Sequence, residues 1–475
     1  MKFDVIFGNP PFQDNKNKKK TQHKLWIEFT TKSINEWLRI DGYLCWITPQ
    51  SWGSPSNSIL QIFKDNDLKD MHLDTKKHFP DIGSSFSHYL IKKGKTGVAT
   101  TFHKEGDEFD FQLDDNAFYV PNDFCEHSIS IHKKVMFLSE LKYNVKKDYV
   151  TCHNVIRRAF INHDKKIEAQ RNKLKTLICE SKIEKCQTYL NKLISGRKKI
   201  DITVSEVETK QHIYPVLHTN KSIWYSSIKQ DFLDKKKVMW SRSGYTKPFY
   251  DDGDLGCTDM GYYILVNDDK EGERLVSFLN CKLMQYIFKT AKWSGFGNER
   301  VFSSIPKVDL PPAIDDGSVY DLFSISEAER EYIESSFTKK GKKRTKPPSE
   351  TKSSQRVKHF GEVFTPLGLV KEMLDMVTDC IWQDDTKTFI DPACGNGNFL
   401  VEIFLKRLDN GVSPEKAAET LYGIDIMEDN IREAKERILS HCRKNNLFTD
   451  KLSDTLDKNI VLSNALEQRM DQVFS

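Results

Sequence analysis

The sequence predicts an α/β protein whose central sheet is assembled from both ends of the chain, with a middle of different character between them. Three observations predict it. Residues 1–115 alternate short apolar runs with stretches of helical spacing. Residues 359–475 do the same. Residues 116–335 instead mix lysine-rich helical periodicity with short strand-like runs rich in Trp, Tyr and Gly. One end supplies about four strands and the other about three, too few for either to stand alone, so a single sheet of about seven is expected.

The elements follow in order. Asp4 to Gly8 is a wholly apolar run apart from its first residue, as a buried parallel strand would be. Lys24 to Leu38 places Trp26, Phe29, Ile34, Trp37 and Leu38 at helical spacing, and Gly42 closes it. Tyr43 to Thr48 is the next strand, stopped by Pro49. Ser56 is placed to cap a helix over Ile59 to Asp65, and Met71 to Leu73 and Ser87 to Ile91 read as further strands. Residues 157–199 suit one long helix or a helical hairpin. Residues 336–358 are a basic, Pro- and Ser-containing linker. Beyond it come strands at Thr388 to Asp391, Leu421 to Asp425 and Asn459 to Ser463, with a helix over Phe399 to Leu408.

At 475 residues the chain can bury a full core. Aromatic residues at 11% argue against wholesale disorder, and a net charge of +4 does not by itself demand a nucleic-acid partner. The 10 cysteines are scattered with no C-x-x-C spacing, which disfavours a zinc site or a disulfide framework and suits a reducing compartment. No apolar run reaches the roughly 20 residues needed to span a bilayer. A cytoplasmic protein without a membrane partner or a metal is expected.

Two stretches carry chemistry. The apolar run ending at Gly8 stops at Asn9-Pro10-Pro11-Phe12, a polar side chain made rigid by two prolines and followed by an aromatic. Such strand-end loops are where open α/β sheets place their sites. Phe389-Ile390-Asp391-Pro392-Ala393-Cys394-Gly395-Asn396-Gly397-Asn398-Phe399 joins a strand to a helix through two glycines that let the backbone approach a ligand. The Asp391 carboxylate can hold a cationic amino group. Asp425, at the end of the following strand, is placed to accept two ribose hydroxyls. Leu400 occupies the third glycine position that a nicotinamide fold would want, so another cofactor is favoured.

Asn9-Pro10-Pro11-Phe12 resembles the catalytic motif of amino-methylating DNA methyltransferases, and the Asp391 to Phe399 loop resembles their S-adenosyl-L-methionine loop. Phe364-Thr365-Pro366 is similar to the segment that closes over the methionine end of the cofactor in adenine-methylating members. Asn464-Ala465 occupies the place of the adenine-reading residue, and Ile426 the place of a side chain packed on the adenine face. The resemblance implies a Rossmann-like seven-stranded methyltransferase sheet, circularly permuted so that the catalytic motif precedes the cofactor motif, with an inserted α+β target-recognition domain. It implies transfer to the N6 amino group of a flipped-out adenine, with cofactor contacts from Phe364, Thr365, Pro366, Asp391, Pro392, Ala393, Gly395, Gly397, Phe399, Asp425, Ile426, Asn464 and Ala465.

The chemistry of these residue types fits that reaction. The adenine amine is a weak nucleophile, and two acceptors, the Asn9 side-chain oxygen and the Pro10 carbonyl, can bind both of its N–H bonds and aim its lone pair. Phe12 can stack on the base. The expected partner is double-stranded DNA, with a separate restriction endonuclease as a further possible companion. Its contacts are expected in the middle region, where Lys236, Trp240, Arg242, Tyr245, Lys247, Lys292, Trp293 and Arg300 interleave positive charge with aromatics. N4-cytosine methylation is the alternative chemistry, and a non-catalytic DNA-binding modification subunit the alternative role. No Pro-Asp…Glu-x-Lys nuclease constellation is found, so no endonuclease activity is expected.

Overall fold

The computed structural model describes residues 1–12, 25–55, 57–79, 85–113, 115–147, 154–176, 180–195, 204–219, 222–242, 247–292, 299–338, 363–377 and 380–474. Residues 339–358 of the expected linker, the Ser56 cap, Tyr245 and Trp293 lie outside the described residues, as does the Arg300 side chain, while residues 336–338 close the helix Glu327–Thr338 rather than begin a linker. The chain forms two compact units, one of Met1–Ile129 with Lys340–Ser475 and the other of Ser130–Lys339.

The first segment carries β1 (Phe3–Gly8), β2 (Leu38–Pro49), β3 (Asp67–His72), β4 (Phe86–Lys92), β5 (Thr100–Lys104) and β6 (Asp107–Phe111). The middle carries β7 (Val204–Ser205), β8 (Tyr214–Leu217), β9 (Ile223–Ser226), β10 (Lys237–Ser241), β11 (Phe249–Asp251), β12 (Gly256–Cys257) and β13 (Gly261–Leu265). The last segment carries β14 (Phe389–Asp391), β15 (Leu421–Asp425) and β16 (Ile460–Leu462).

The first unit is built on one mixed, mostly parallel sheet in the order β16-β15-β14-β1-β2-β4-β3-β5-β6. β16, β15, β14, β1 and β2 pair in parallel, and β4 runs antiparallel to both β2 and β3. The sheet has nine strands rather than seven because β5 and β6 form an added hairpin. Its two-residue turn, Glu105-Gly106, has positive φ at both positions (55° and 94°), the primed geometry that matches strand twist. Glu in place of the usual Asn or Asp hides this turn in the sequence.

The two chain segments are joined at β1 and β14. Val5 pairs with Phe389 and Ile6 with Ile390. Asp4 reinforces the seam, its Oδ2 accepting from the Thr388 backbone N–H at 3.0 Å and from the Thr388 hydroxyl at 2.8 Å. One core cluster draws on both segments, with Val5, Phe7, Cys45 and Leu90 from one and Leu369, Phe389, Phe399 and Ile403 from the other. Phe7 stacks on Phe399 with ring centroids 6.1 Å apart. β1 is buried at all six positions, which is why it reads as an apolar run interrupted only by Asp4.

The second unit holds a three-stranded sheet, β11-β10-β13, and a four-stranded sheet, β12-β8-β9-β7. The helical spacing expected over residues 157–199 corresponds to two helices, Asn154–Lys175 and Glu180–Ser195. The helices pair antiparallel, with His163 Nε2 2.9 Å from the Leu193 carbonyl and Gln170 Nε2 donating to Cys186 Sγ at 3.1 Å. Cysteines are free throughout the described residues. Among those residues no helix is long and apolar enough to cross a membrane.

Candidate active site

The strand order places the candidate residues before any side chain is considered. β14 lies between β15 and β1, and all three run parallel, so their carboxyl ends open on one edge of the sheet. Asp391 ends β14, Asp425 ends β15 and Asn9 follows the end of β1. That edge is where ligands bind open α/β sheets.

The glycine loop after β14 has the shape a ligand cradle needs. Gly395 and Gly397 adopt φ of +52° and +85°. A Cβ on Gly397 would stand 2.6 Å from the Ala434 Cβ, so only glycine lets the loop close onto the helix Glu428–Lys444. Asp425 Oδ2 accepts from the Gly395 N–H at 3.0 Å, and its Oδ1 accepts from the Met427 N–H at 2.8 Å. Oδ1 also accepts from Asn430 Nδ2 at 3.3 Å, so the carboxylate is held in place at the strand end.

Asp391 is 1% exposed. Burial pushes its carboxyl up to about 8, and the neighbouring Asp425 adds to the rise, against one backbone hydrogen bond from Ala393 at 3.0 Å. A buried acid with so little compensation is suited to a cationic partner. Gly8 lets Asp391 and the catalytic loop approach, since a Cβ there would lie 3.0 Å from Asp391 Oδ1 and 2.8 Å from the Trp46 ring.

Asn9 is half-buried and tied to the Phe364-Thr365-Pro366 segment. Its Nδ2 donates to the Val363 carbonyl at 3.3 Å and to the Thr365 hydroxyl at 3.2 Å. This spends the donor end of the amide on the protein and presents Oδ1 as the acceptor. Phe12 stacks on Phe86 with centroids 5.2 Å apart, which sets the aromatic beside the loop.

Two residues that sequence reasoning did not single out complete the support. Asn398 Nδ2 donates to the Thr365 carbonyl at 2.8 Å, and Arg437 donates to Asn398 Oδ1 at 2.6 Å and to the Asn396 carbonyl at 2.8 Å. Arg437 lies on a helix remote in sequence from either motif, so no local pattern could reveal it. Asn398 sits inside the glycine loop, and its polar side chain at a buried position was the available signal.

The remaining candidates divide by burial. Ile426 is 53% exposed, an apolar side chain left at the strand-end edge. Asn464 uses its Oδ1 to accept from the Leu466 N–H at 3.1 Å, which leaves its NH2 as the group to offer a ligand. Pro392, Phe399 and Ala465 are buried in the packing and shape the loops rather than present a face.

In the second unit, Trp240 is a core ring of β10, 3% exposed and packed against Tyr262 and Phe302. It offers no surface to DNA, a correction to its sequence assignment. Its apolar neighbours in β10 face a two-sided core, which local alternation does not reveal. Lys236 is paired with Asp252 and Asp269. Lys247 and Lys292 are exposed, and Arg242 is half-buried.

Comparison with known proteins agrees with these motifs. Residues 1–84 match the family model of the Eco57I restriction-modification methylase, and residues 350–475 that of the N-6 DNA Methylase. No curated protein matches the chain. Among solved structures, a nuclease-deletion mutant of the Type ISP restriction-modification enzyme LlaGI with a DNA substrate mimic is 9% identical, with 70% of this chain and 41% of that one covered and a TM-score of 0.37. A DrdV-DNA complex is 10% identical, with 64% and 42% covered and a TM-score of 0.30. The type IIG restriction endonuclease BpuSI is 10% identical, with 67% and 45% covered and a TM-score of 0.23. The chain spans less than half the length of these proteins, and at such scores the fold assignment rests on the strand order alone. The two family matches thus fall on the two segments that carry the Asn9 and Asp391 motifs.

Proposed function

We propose that the chain is a site-specific DNA methyltransferase that moves the methyl group of S-adenosyl-L-methionine to the N6 amino group of an adenine flipped out of double-stranded DNA. The observation that carries this reading is the fixed Asn9 amide. Its NH2 is bound by Val363 and Thr365, and its oxygen remains for the substrate amine.

The cradle fits the cofactor on its own geometry. The positive-φ glycines bring backbone close to a ligand, Asp391 awaits a cation, and Ile426 is an exposed apolar side chain beside Asp425. Asp391 would hold the amino group of the methionine end, Asp425 the ribose hydroxyls, Ile426 the adenine face and Asn464 its polar edge. Bound there, the cofactor supplies an electrophilic methyl group.

The chain's own residues then prepare the acceptor. Asn9 Oδ1 and the Pro10 carbonyl bind the two N–H bonds of the adenine amine and draw its lone pair out of conjugation. Phe12 stacks on the flipped base, offsetting part of the few kcal/mol lost on unstacking. Because the loop is held before the substrate arrives, little reorganisation is needed at the reacting step. Once methylated, the amine would give up one N–H proton to water, so no side chain needs to titrate.

We read the sheet order as a circular permutation, with the first strand, β1, entering beside β14 and the last, β16, lying at the edge beyond β15. The second unit then serves as the target-recognition domain, with Arg242, Lys247 and Lys292 as its candidate phosphate or base contacts. The test is incorporation of labelled methyl from S-adenosyl-L-methionine into unmethylated mixed-sequence DNA, with nucleoside analysis and Asn9→Ala beside it. N6-methyladenine that disappears in the variant supports the proposal. Methylcytosine would transfer it to N4 chemistry, and cofactor binding with no transfer to any DNA would sink it.

A further inference from the structure

The antiparallel helices Asn154–Lys175 and Glu180–Ser195 of the second unit meet along one seam. Buried and half-buried side chains recur there at spacings of three and four, as at Ile167, Gln170 and Leu174 of the first helix and Cys186, Leu190 and Leu193 of the second. Off the seam every described side chain of both helices is exposed. The pair therefore spends its apolar side chains on holding itself together, and its outer surface is left to solvent or to a partner.

The charges on that surface are sorted. Lys166, Lys173, Lys185 and Lys192 each stand directly before a seam residue, and so does Tyr189. With 3.6 residues per turn, this places them on one flank of their own helix. In an antiparallel pair the two such flanks face the same way, because the two-fold axis relating the helices is perpendicular to the plane that contains them. Residues that directly follow a seam residue lie on the opposite face. These include Asp164, Glu168 and Glu184, with Arg171 and Lys175. One face thus carries four lysines and, among the described residues, no carboxylate, while the other sets two cations against three carboxylates. A face built only for solubility would mix the signs, as the second one does.

The spacing of the lysines matches a polyanion. The contacts of His163 with Leu193 and of Gln170 with Cys186 fix the register, so Lys166 falls close to the level of Lys192 and Lys173 close to that of Lys185. The two rungs are seven residues apart, about 10.5 Å at 1.5 Å per residue. A DNA duplex carries one charge per roughly 1.7 Å of its axis, so a strip of that length meets phosphates whatever bases lie beneath it. Lysine offers a point charge on a flexible stem rather than the planar fork of arginine, which suits phosphates met at variable geometry. Tyr189 is 51% exposed, and its hydroxyl can donate to a phosphate oxygen.

We propose that the face of Lys166, Lys173, Lys185 and Lys192, with Tyr189, rests on the sugar–phosphate backbone of double-stranded DNA and holds it independently of sequence. The proposal rests on the reading of the chain as a DNA methyltransferase and adds to it a contact that carries no base information. The carboxylates of the opposite face repel phosphate, so they orient the helix pair with its lysines toward the duplex.

The experiment measures binding of the full chain to a fluorescein-labelled mixed-sequence duplex by fluorescence anisotropy, between about 0.05 and 0.2 M salt. Lys166→Gln with Lys173→Gln should lower the slope of log affinity against log salt by about two, close to 0.9 per lost phosphate contact. Adding Lys185→Gln should bring the loss to about three, with affinity at about 0.1 M salt at least about tenfold weaker. Arg171→Gln with Lys175→Gln removes the same charge from the other face of the same helix, and should change the slope by less than about 0.5. These side chains are exposed, so thermal unfolding should show unaltered midpoints. Equal slope changes in the two double variants overturn the proposal, because general electrostatics would then account for binding. Failure of the unaltered chain to bind the duplex overturns it too. Binding to anionic phospholipid vesicles through the same lysines, with duplex affinity unchanged in the variants, would give the face to a membrane instead. Methyl transfer to the same DNA separates this contact from the reading it rests on. Lysine-dependent binding without transfer keeps the contact and sinks the methyltransferase, and transfer with unchanged slopes does the reverse.

Discussion

The side-chain amide of Asn9 donates to the hydroxyl of Thr365 at 3.2 Å, across 356 positions of sequence. Thr365 is 4% exposed and its carbonyl accepts from Asn398, which is held in turn by Arg437. The orientation of the proposed catalytic amide is therefore decided by the far end of the chain. Removing the hydroxyl in Thr365→Val should loosen Asn9 without touching substrate. We expect kcat to fall about tenfold, the worth of one such hydrogen bond, with KM for DNA little changed. Asn9→Ala should lose about 100-fold or more, since it deletes the acceptor itself. Single-turnover methyl transfer distinguishes the two.

Asp391 predicts a pH signature. Its carboxyl is raised by burial to about 8 in the fold, against an ordinary 3.8. Between those values the folded state binds more protons than the unfolded state, so stability falls as pH rises from about 4 to about 8. Asp391→Asn keeps the acceptor for the Ala393 N–H and removes the titration. The ligand-free variant should thus unfold at a higher temperature than the parent at pH 8, with the difference closing toward pH 4. The same variant should bind S-adenosyl-L-methionine more weakly, and the parent's affinity should rise with pH up to about 8 as the carboxyl ionises to meet the cation. Calorimetry in buffers of different ionisation enthalpy would detect the released proton.

Gly397 cannot carry a side chain. Its φ is +85°, and an added Cβ would meet the Ala434 Cβ at 2.6 Å. Gly397→Ala should cost about 1–3 kcal/mol of stability through overpacking, read from the midpoint of urea unfolding, and should abolish cofactor binding by shifting the loop. A variant with unaltered affinity would remove the loop from the proposed site.

Trp240 and Lys247 should behave oppositely. Trp240→Ala should destabilise by about 3–5 kcal/mol, as loss of a buried ring does. Lys247→Ala, at an exposed position, should leave the unfolding midpoint unchanged. If Lys247 contacts a phosphate, its loss should reduce the salt dependence of DNA binding by close to one charge.

The strands and the two strand-end loops were legible in the sequence because each is a local matter. A strand buried on both faces reads as a nearly continuous apolar run, as at Val5 to Gly8, and a backbone that passes close to a ligand needs glycine, as at Gly395 and Gly397. The helix over Ile59–Asp65 and the strand Leu421–Asp425 were read with the same bounds that the structure has. The chemistry of Asn9, Asp391 and Asp425 follows from their residue types and their places at strand ends. Tertiary structure decided what depends on distant partners. It set β1 beside β14, chose Oδ1 of Asn9 as the acceptor through Thr365, added the β5–β6 hairpin and buried Trp240. It also brought polar atoms of His72, His88 and Glu372 within 4.8 Å of one another. Spacing along the chain carries no information about which side chains a sheet and its covering helix bring within 3.5 Å, because those contacts are set by register and packing.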